Sequence, residues 1–141
     1  MKRHATAIWE GNLQEGKGRL TTQSGALNEK RYDFRTRFED EDGTAGTNPE
    51  ELIAAAHAGC FAMQLSHFLA ENGTPATKLD AKATVEVKPG EGIKGSALVL
   101  EAEVPDIDPD TFQELCEKAK EGCPVSGALA AITITLDAKL V

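Results

Sequence analysis

The stretch from Thr47 to Gly73, TNPEELIAAAHAGCFAMQLSHFLAENG, constrains this chain more than any other. It reads as one long helix. Asn48 can cap the first turn, and Pro49 fits the first helical position, where no backbone N–H is needed. Glu50 and Glu51 complement the positive N-terminal end of the helix, and Gly73 after Asn72 stops it. One residue in its middle is out of keeping with its alanine and glycine neighbours. Cys60 lies between His57 and Met63, and a buried cysteine is ordinarily only a small apolar side chain. At 100° per residue, Ile53, Ala56, Met63 and Gln64 fall on the same side as Cys60. That largely apolar face is expected to turn inward.

The remaining elements group by type. RHATAIWE (3–10) and the stretch from Gly16 onward, GKGRLTTQ, read as a hairpin closed by a turn within EGNLQEG, followed by a turn at Ser24-Gly25. In YDFRTRF, Tyr32, Phe34, Thr36 and Phe38 alternate with Asp33, Arg35, Arg37 and Glu39, a period-two pattern that predicts a strand. EDEDG is an acidic loop. Residues 79–88 and 93–104 read as strands around a PGEG turn. A second helix starts at Asp108-Pro109, with Phe112, Leu115 and Ala119 at helical spacing and Gly122 as its stop. CPVSGALAA opens a short third helix, and ITITLDAKLV closes the chain as a strand. Strands that cluster instead of alternating with helices predict an α+β fold in one domain, 1–141.

Charge and composition narrow the function. A net charge of −8 argues against nucleic acid, whose phosphates need clustered Lys and Arg. No apolar run is expected to span a bilayer, so no membrane partner is anticipated. MKRHATAIWEG has no apolar h-region, which leads us to expect a cytoplasmic protein. Three cysteines (Cys60, Cys116 and Cys123) without a C-x-x-C spacing fit neither a disulfide framework nor a zinc knuckle. Inert core thiols, a nucleophile, or a redox pair distant in sequence remain open.

Cys123 shifts that balance. It sits between a helix terminator and Pro124, hence near the N-cap of a new helix, where partial positive charge favours a thiolate. Cys116, mid-helix beside Leu115, reads as packing. His57 is one turn from Cys60 and reads first as a helix-surface or core histidine. His4 and His67 add too little for a metal site, and no cofactor is expected. A reactive thiol at neutral pH needs a cation, and Arg19, Arg35 and Arg37 are the candidates. Glu50 could orient an arginine through a bidentate pair. On one straight helix Glu50 and Cys60 are about 15 Å apart. A bridging arginine or a second subunit would have to connect them, so we expect a dimer.

With these residues assembled, GTNPEELIAAAHAGCFAMQLS and AKEGCPVSGALAAITITLDAKL, with YDFRTRF and WEGNLQEGKG upstream, strongly resemble the OsmC (osmotically inducible protein C) family, which includes the organic hydroperoxide resistance proteins. The resemblance covers nearly the whole chain, and AAHAGCF with TRF places it on the OsmC branch. It implies an intertwined homodimer of α+β subunits, with antiparallel sheets and a long central helix. It also implies a thiol peroxidase acting on organic hydroperoxides and more weakly on hydrogen peroxide. By motif position Cys60 matches the peroxidatic cysteine, Cys123 the resolving one, Glu50 the acidic partner and Arg37 the arginine. The other branch draws its arginine from the early glycine-rich strand, where Arg19 stands here. The implied cycle runs through a Cys60 sulfenic acid and a Cys60–Cys123 disulfide, reset by a dithiol reductant of lipoyl type. Ile53, Ala56, Phe61 and Met63 are expected to line the peroxide site. Two other readings compete: a non-enzymatic redox sensor or ligand-binding dimer that signals through Cys60 oxidation, and a cysteine hydrolase using Cys60 and His57.

Overall fold

A computed structural model describes all 141 residues, which divide into two compact units, Met1–Leu52 and Ile53–Val141. In the first, strands β1 (Ala5–Glu10), β2 (Lys17–Thr22) and β3 (Lys30–Tyr32) form an antiparallel sheet in sequence order. Gly18 stands opposite both Trp9 and Tyr32 in this sheet. A Cβ there would come within 2.3 Å of the Tyr32 ring and 2.8 Å of Trp9, so only glycine lets the two aromatics close over the strand. Their ring centroids are 5.5 Å apart.

The segment predicted as a strand is mostly a helix. After β3, α1 (Phe34–Phe38) is nucleated by a capping box: Asp33 Oδ1 accepts from the Thr36 amide at 2.9 Å, and Thr36 Oγ1 accepts from the Asp33 amide at 2.9 Å. Those two reciprocal bonds outweigh an alternation only seven residues long. Arg35 and Arg37 therefore do not share a strand face. They are two helical residues about 200° apart.

Helix α2 (Pro49–Glu71) begins in the first unit and continues into the second. The expected cap is present: Asn48 Oδ1 accepts from the Glu51 amide at 2.8 Å, and Gly73 follows with φ +82°. Contrary to the expectation drawn from apolar runs, α2 is long and apolar enough by length and composition to cross a membrane. Three of its large apolar residues, Phe61, Leu65 and Leu69, belong to the core of the second unit.

That core is built on one sheet. β4 (Lys78–Lys88) and β5 (Gly92–Glu103) form an antiparallel hairpin, while β6 (Thr133–Leu140) pairs parallel to β5, so this sheet is mixed and not wholly antiparallel. The parallel return needs a long crossover, supplied by α3 (Pro109–Gly122) and α4 (Pro124–Ala128). Along β5, Ser96, Leu98, Leu100 and Ala102 point inward at period two. They pack with Phe61, Leu65 and Leu69 of α2 and Phe112, Cys116 and Ala119 of α3. Asp108 caps α3 as anticipated. Gly122 is the last helical residue and not a left-handed stop; the chain turns out through Cys123 at φ −66° and ψ 124°, a conformation open to any residue.

Candidate active site

Of the candidate arginines in the first unit, Arg37 is the one paired with Glu50. Its Nη2 donates to Glu50 Oε1 at 2.7 Å, and its Nε reaches both carboxylate oxygens at 3.2 and 3.3 Å. Glu50 is almost fully buried, whereas the Arg37 side chain is 38% exposed. The guanidinium also lies 5.0 Å from the Phe38 ring centroid. The approach of α1 to the start of α2 is set by backbone-directed bonds. Thr36 Oγ1 donates to the Thr47 carbonyl at 3.1 Å, and Asn48 Nδ2 to the Thr36 carbonyl at 3.4 Å. Burial opposes ionisation of Asp33, but the Thr36 amide and Arg31 outweigh it and hold its carboxyl below the ordinary aspartate value. The other arginines are placed elsewhere. Arg19 pairs with Glu10 at 3.3 Å with both side chains well exposed, and Arg35 is exposed on α1.

Next to Arg37, Trp9, Leu13, Tyr32, Phe34, Phe38 and Pro49 line an open apolar groove of about 320 Å³. The expectation of a lining from α2 did not include these residues. Phe61 is fully buried in the core of the second unit, and Met63 is 77% exposed. The available signal for the groove was the small residue Gly18 flanked across the sheet by Trp9 and Tyr32.

In the second unit, α2 and the start of α4 bring Cys60 and Cys123 close enough for each to shift the other's ionisation. Both are free thiols, Cys60 half-buried and Cys123 buried. The inward row of α2 is His57, Phe61, Leu65 and Leu69, not the row of Cys60, Ala56 and Met63. Cys60 therefore sits at the margin of the core, near Cys123.

The two sulfurs ionise as a pair. Burial pushes the Cys60 thiol up, its hydrogen bond with Cys123 adds to this, and the Val125 amide pulls weakly the other way. Burial also opposes ionisation of Cys123, but the hydrogen bond from Cys60, the amide and hydroxyl of Ser126 and the amide of Val125 prevail, and its thiol is pulled down. Cys123 occupies the N-cap of α4 as expected, although its sulfur makes no regular capping hydrogen bond. Cys116 is a packing residue: fully buried on α3, its thiol is pushed up to about 12 by burial.

His57 is fully buried, with Nδ1 2.7 Å from Ser96 Oγ and Nε2 2.9 Å from Ser126 Oγ. It is thus a core histidine, one of the two placements the sequence favoured, and its partners come from β5 and α4, which sequence spacing does not link. His67 pairs loosely with Glu71 at 3.6 Å, His4 is exposed, and no group of three His, Cys, Asp or Glu side chains is arranged to hold a metal ion.

Comparison with known proteins places this geometry. Residues 40–137 match the family model described as OsmC-like protein. The chain is 51% identical to "Peroxiredoxin OsmC" of Escherichia coli over 95% of its own length and 93% of the relative's. It is 30% identical to "Organic hydroperoxide resistance protein OhrB" of Bacillus subtilis over 79% of its length and 80% of that protein's. The crystal structure of OhrB of Bacillus subtilis superposes with a TM-score of 0.69 at 28% identity, covering 96% of this chain and 98% of that one. An OsmC-like protein from Mycoplasma pneumoniae, 17% identical, shares the fold with a TM-score of 0.75 over 100% and 98% of the two chains. This chain belongs to the OsmC-like protein family.

Proposed function

We propose that the protein is a cysteine-based peroxidase that reduces organic hydroperoxides in the cytoplasm, with Cys60 as the peroxidatic thiol and Cys123 as the resolving one. The observation that carries this is the meeting of two cysteines distant in sequence, one on α2 and one at the N-cap of α4. Two of its relatives, named a peroxiredoxin and an organic hydroperoxide resistance protein, support the same chemistry.

The Cys60 thiolate attacks the terminal oxygen of R–O–OH. An S–O bond forms, the O–O bond breaks, and the leaving alkoxide takes a proton to become an alcohol. Cys60 is thereby oxidised to sulfenic acid and the peroxide reduced. Because burial holds the proton on Cys60, a nearby cation is required to draw negative charge to that sulfur. By the family resemblance this role falls to Arg37, whose guanidinium Glu50 and Phe38 hold in one orientation, ready to meet charge developing on the leaving oxygen. Cys123 then attacks the sulfenic sulfur, forming the disulfide and releasing water. A dithiol, of lipoyl type by family resemblance, restores both thiols by exchange and leaves as a disulfide. The groove beside Arg37 offers apolar surface to the organic group of the peroxide, which favours R–O–OH over H–O–OH.

The working unit is a homodimer. All six residues of β1 are exposed, and Ile8, Trp9, Leu13 and Met63 present large apolar side chains to solvent, surface that a second copy would cover. The test is peptide mapping under non-reducing conditions after one equivalent of cumene hydroperoxide is added to reduced protein. A Cys60–Cys123 disulfide with Cys116 unmodified is the expected result. A Cys60 that stays a free thiol would overturn the proposal.

A further inference from the structure

The peroxidase reading leaves one buried titratable group without a task. His57 has no charged neighbour in hydrogen-bonding reach; two serine hydroxyls satisfy its ring instead. Ser126 is the third residue of α4 after its N-cap, Cys123, and its amide and hydroxyl are among the groups that draw the Cys123 thiol down. These contacts fix a direction. A serine hydroxyl carries one proton, so a Ser126 that donates to the Cys123 sulfur must accept from His57 at Nε2. Nδ1 is then the acceptor and takes its hydrogen from the Ser96 hydroxyl. Burial keeps the imidazole neutral, which is the state able to donate at one nitrogen and accept at the other. No buried side-chain nitrogen or oxygen in the protein is left without a partner, so the chain Ser96–His57–Ser126 is fully satisfied in this orientation.

We propose that His57 is a positioning residue for the second half of the reaction, aiming the Ser126 hydroxyl at Cys123 so that the resolving sulfur is a thiolate when Cys60 has become sulfenic acid. This inference rests on the peroxidase reading. In the reduced protein Cys60 is the strongest of the groups that draw the Cys123 thiol down. Once Cys60 carries oxygen that support changes, and the groups still facing Cys123 are the Ser126 hydroxyl and the amides of Ser126 and Val125. The Cys123 thiolate attacks the Cys60 sulfur, the S–S bond forms as the S–O bond breaks, and the departing hydroxide takes up a proton to leave as water. The proton that Cys123 gave up on ionising balances the one hydroxide takes. A slow attack leaves the sulfenic acid open to a second peroxide and to irreversible oxidation to sulfinic acid. On this account the relay sets how often the enzyme is lost per turnover.

The experiment compares Ser126→Ala, Ser126→Thr and His57→Gln in the full-length protein. Single-turnover stopped flow with cumene hydroperoxide gives the rates of sulfenic acid formation and of disulfide formation, and mass spectrometry gives the Cys60 sulfinic acid after repeated turnover. The ratio of disulfide to sulfenic formation should fall about tenfold in Ser126→Ala, as expected when one thiolate-stabilising hydrogen bond is lost. The sulfinic yield should rise in parallel, and Ser126→Thr, which keeps the hydroxyl, should restore both. His57→Gln, should it fold poorly, is replaced in the argument by the Ala and Thr pair. In a Cys60→Ser background, the pH midpoint for alkylation of Cys123 should also rise in Ser126→Ala. An unchanged ratio and an unchanged alkylation midpoint, even with a lowered Tm, would overturn the proposal and leave His57 a structural core residue. Absence of any sulfenic acid in the unsubstituted protein is a separate result: it would overturn the peroxidase reading, and the relay's role with it.

Discussion

The two units bury opposite kinds of residue. Between Ile53 and Val141 the fully buried side chains are mainly apolar, among them Phe61, Leu65, Leu69, Leu98, Leu100 and Phe112. Between Met1 and Leu52 the buried side chains are Asp33, Thr36, Thr47 and Glu50, while Ile8, Trp9, Leu13 and Phe38 are exposed. One unit holds its shape by removing apolar surface from water. The other holds it by hydrogen bonds, each contributing only about 1 kcal/mol net, and turns its apolar groups outward. On the proposed mechanism the chemistry divides along the same line, with the thiols at the edge of the apolar core and Arg37 on the hydrogen-bonded frame. Damage at Arg37 should therefore appear mainly in rate, and damage to the apolar core of the second unit mainly in stability.

The sharpest way to break this contrast is Arg37→Ala. Removing a preorganised charge from a developing anion costs about 100- to 1,000-fold in rate. We expect a loss of that size in the second-order rate constant for cumene hydroperoxide per folded molecule, measured by stopped flow, together with a drop in Tm from leaving the buried Glu50 unpaired. Arg37→Lys should recover only part of it, because a lysine keeps the charge but not the fork that Glu50 grips. A rate within a few-fold of the unsubstituted protein would remove Arg37 from the reaction.

The opposite substitution is Leu65→Ala in the core of the second unit. Emptying a fully buried leucine site should cost about 2–5 kcal/mol in urea unfolding, yet leave the rate per folded molecule nearly unchanged. If stability barely moved, the claim that this unit is held by its apolar core would fail.

The same contrast explains what could be read from the residues in advance. Both long helices announce themselves locally, through Asn48 and Pro49 for α2 and Asp108 and Pro109 for α3, because a cap is a short-range interaction. Cys123 at the head of α4 is legible for the same reason. YDFRTRF is not, because its alternation imitates a strand while Asp33-x-x-Thr36, the capping box, decides the conformation. The inward row of α2 is misjudged because Ala56, Cys60 and Met63 look as apolar as His57, Phe61 and Leu65. What separates the rows is the sheet and α3, which the helix's own sequence does not describe. His57 illustrates the limit: its meaning lies in Ser96 and Ser126, each contributed by a remote element.

A finer test sets acid against the two units. Burial disfavours the Asp33 carboxylate, but the Thr36 amide and Arg31 more than offset it, so its folded value lies below the unfolded 3.8. A depressed carboxyl contributes stability that is fully present above its unfolded pKa and is lost as pH falls through the folded one. Acidification below about pH 4 should thus release the cap of α1, worth roughly 1 kcal/mol, before the apolar core responds. Hydrogen exchange should show the Thr36 amide losing protection in this range while amides of β5 keep theirs. In Asp33→Asn, protection of Thr36 should no longer depend on pH there. The same acid-induced loss in both proteins would mean that the cap is not the sensitive element.

The smallest effect is expected at Arg19, and its smallness is informative. Arg19 and Arg37 both belong to the first unit, and both face a glutamate at short range. Glu10 and Arg19 are each substantially exposed, whereas Glu50 is almost entirely withdrawn from water. An exposed pair is screened by solvent and fixes its arginine poorly, while a buried carboxylate imposes one orientation on the guanidinium it holds. Arg19→Ala should accordingly change the rate constant by less than about twofold, within what an exposed ion pair contributes. Measured beside Arg37→Ala with the same hydroperoxide, it decides which arginine serves Cys60. A large loss at Arg19 together with a small one at Arg37 would assign the catalytic cation to β2, the arrangement of the other branch of the family. The Arg37–Glu50 pair would then be only a clasp between α1 and the start of α2.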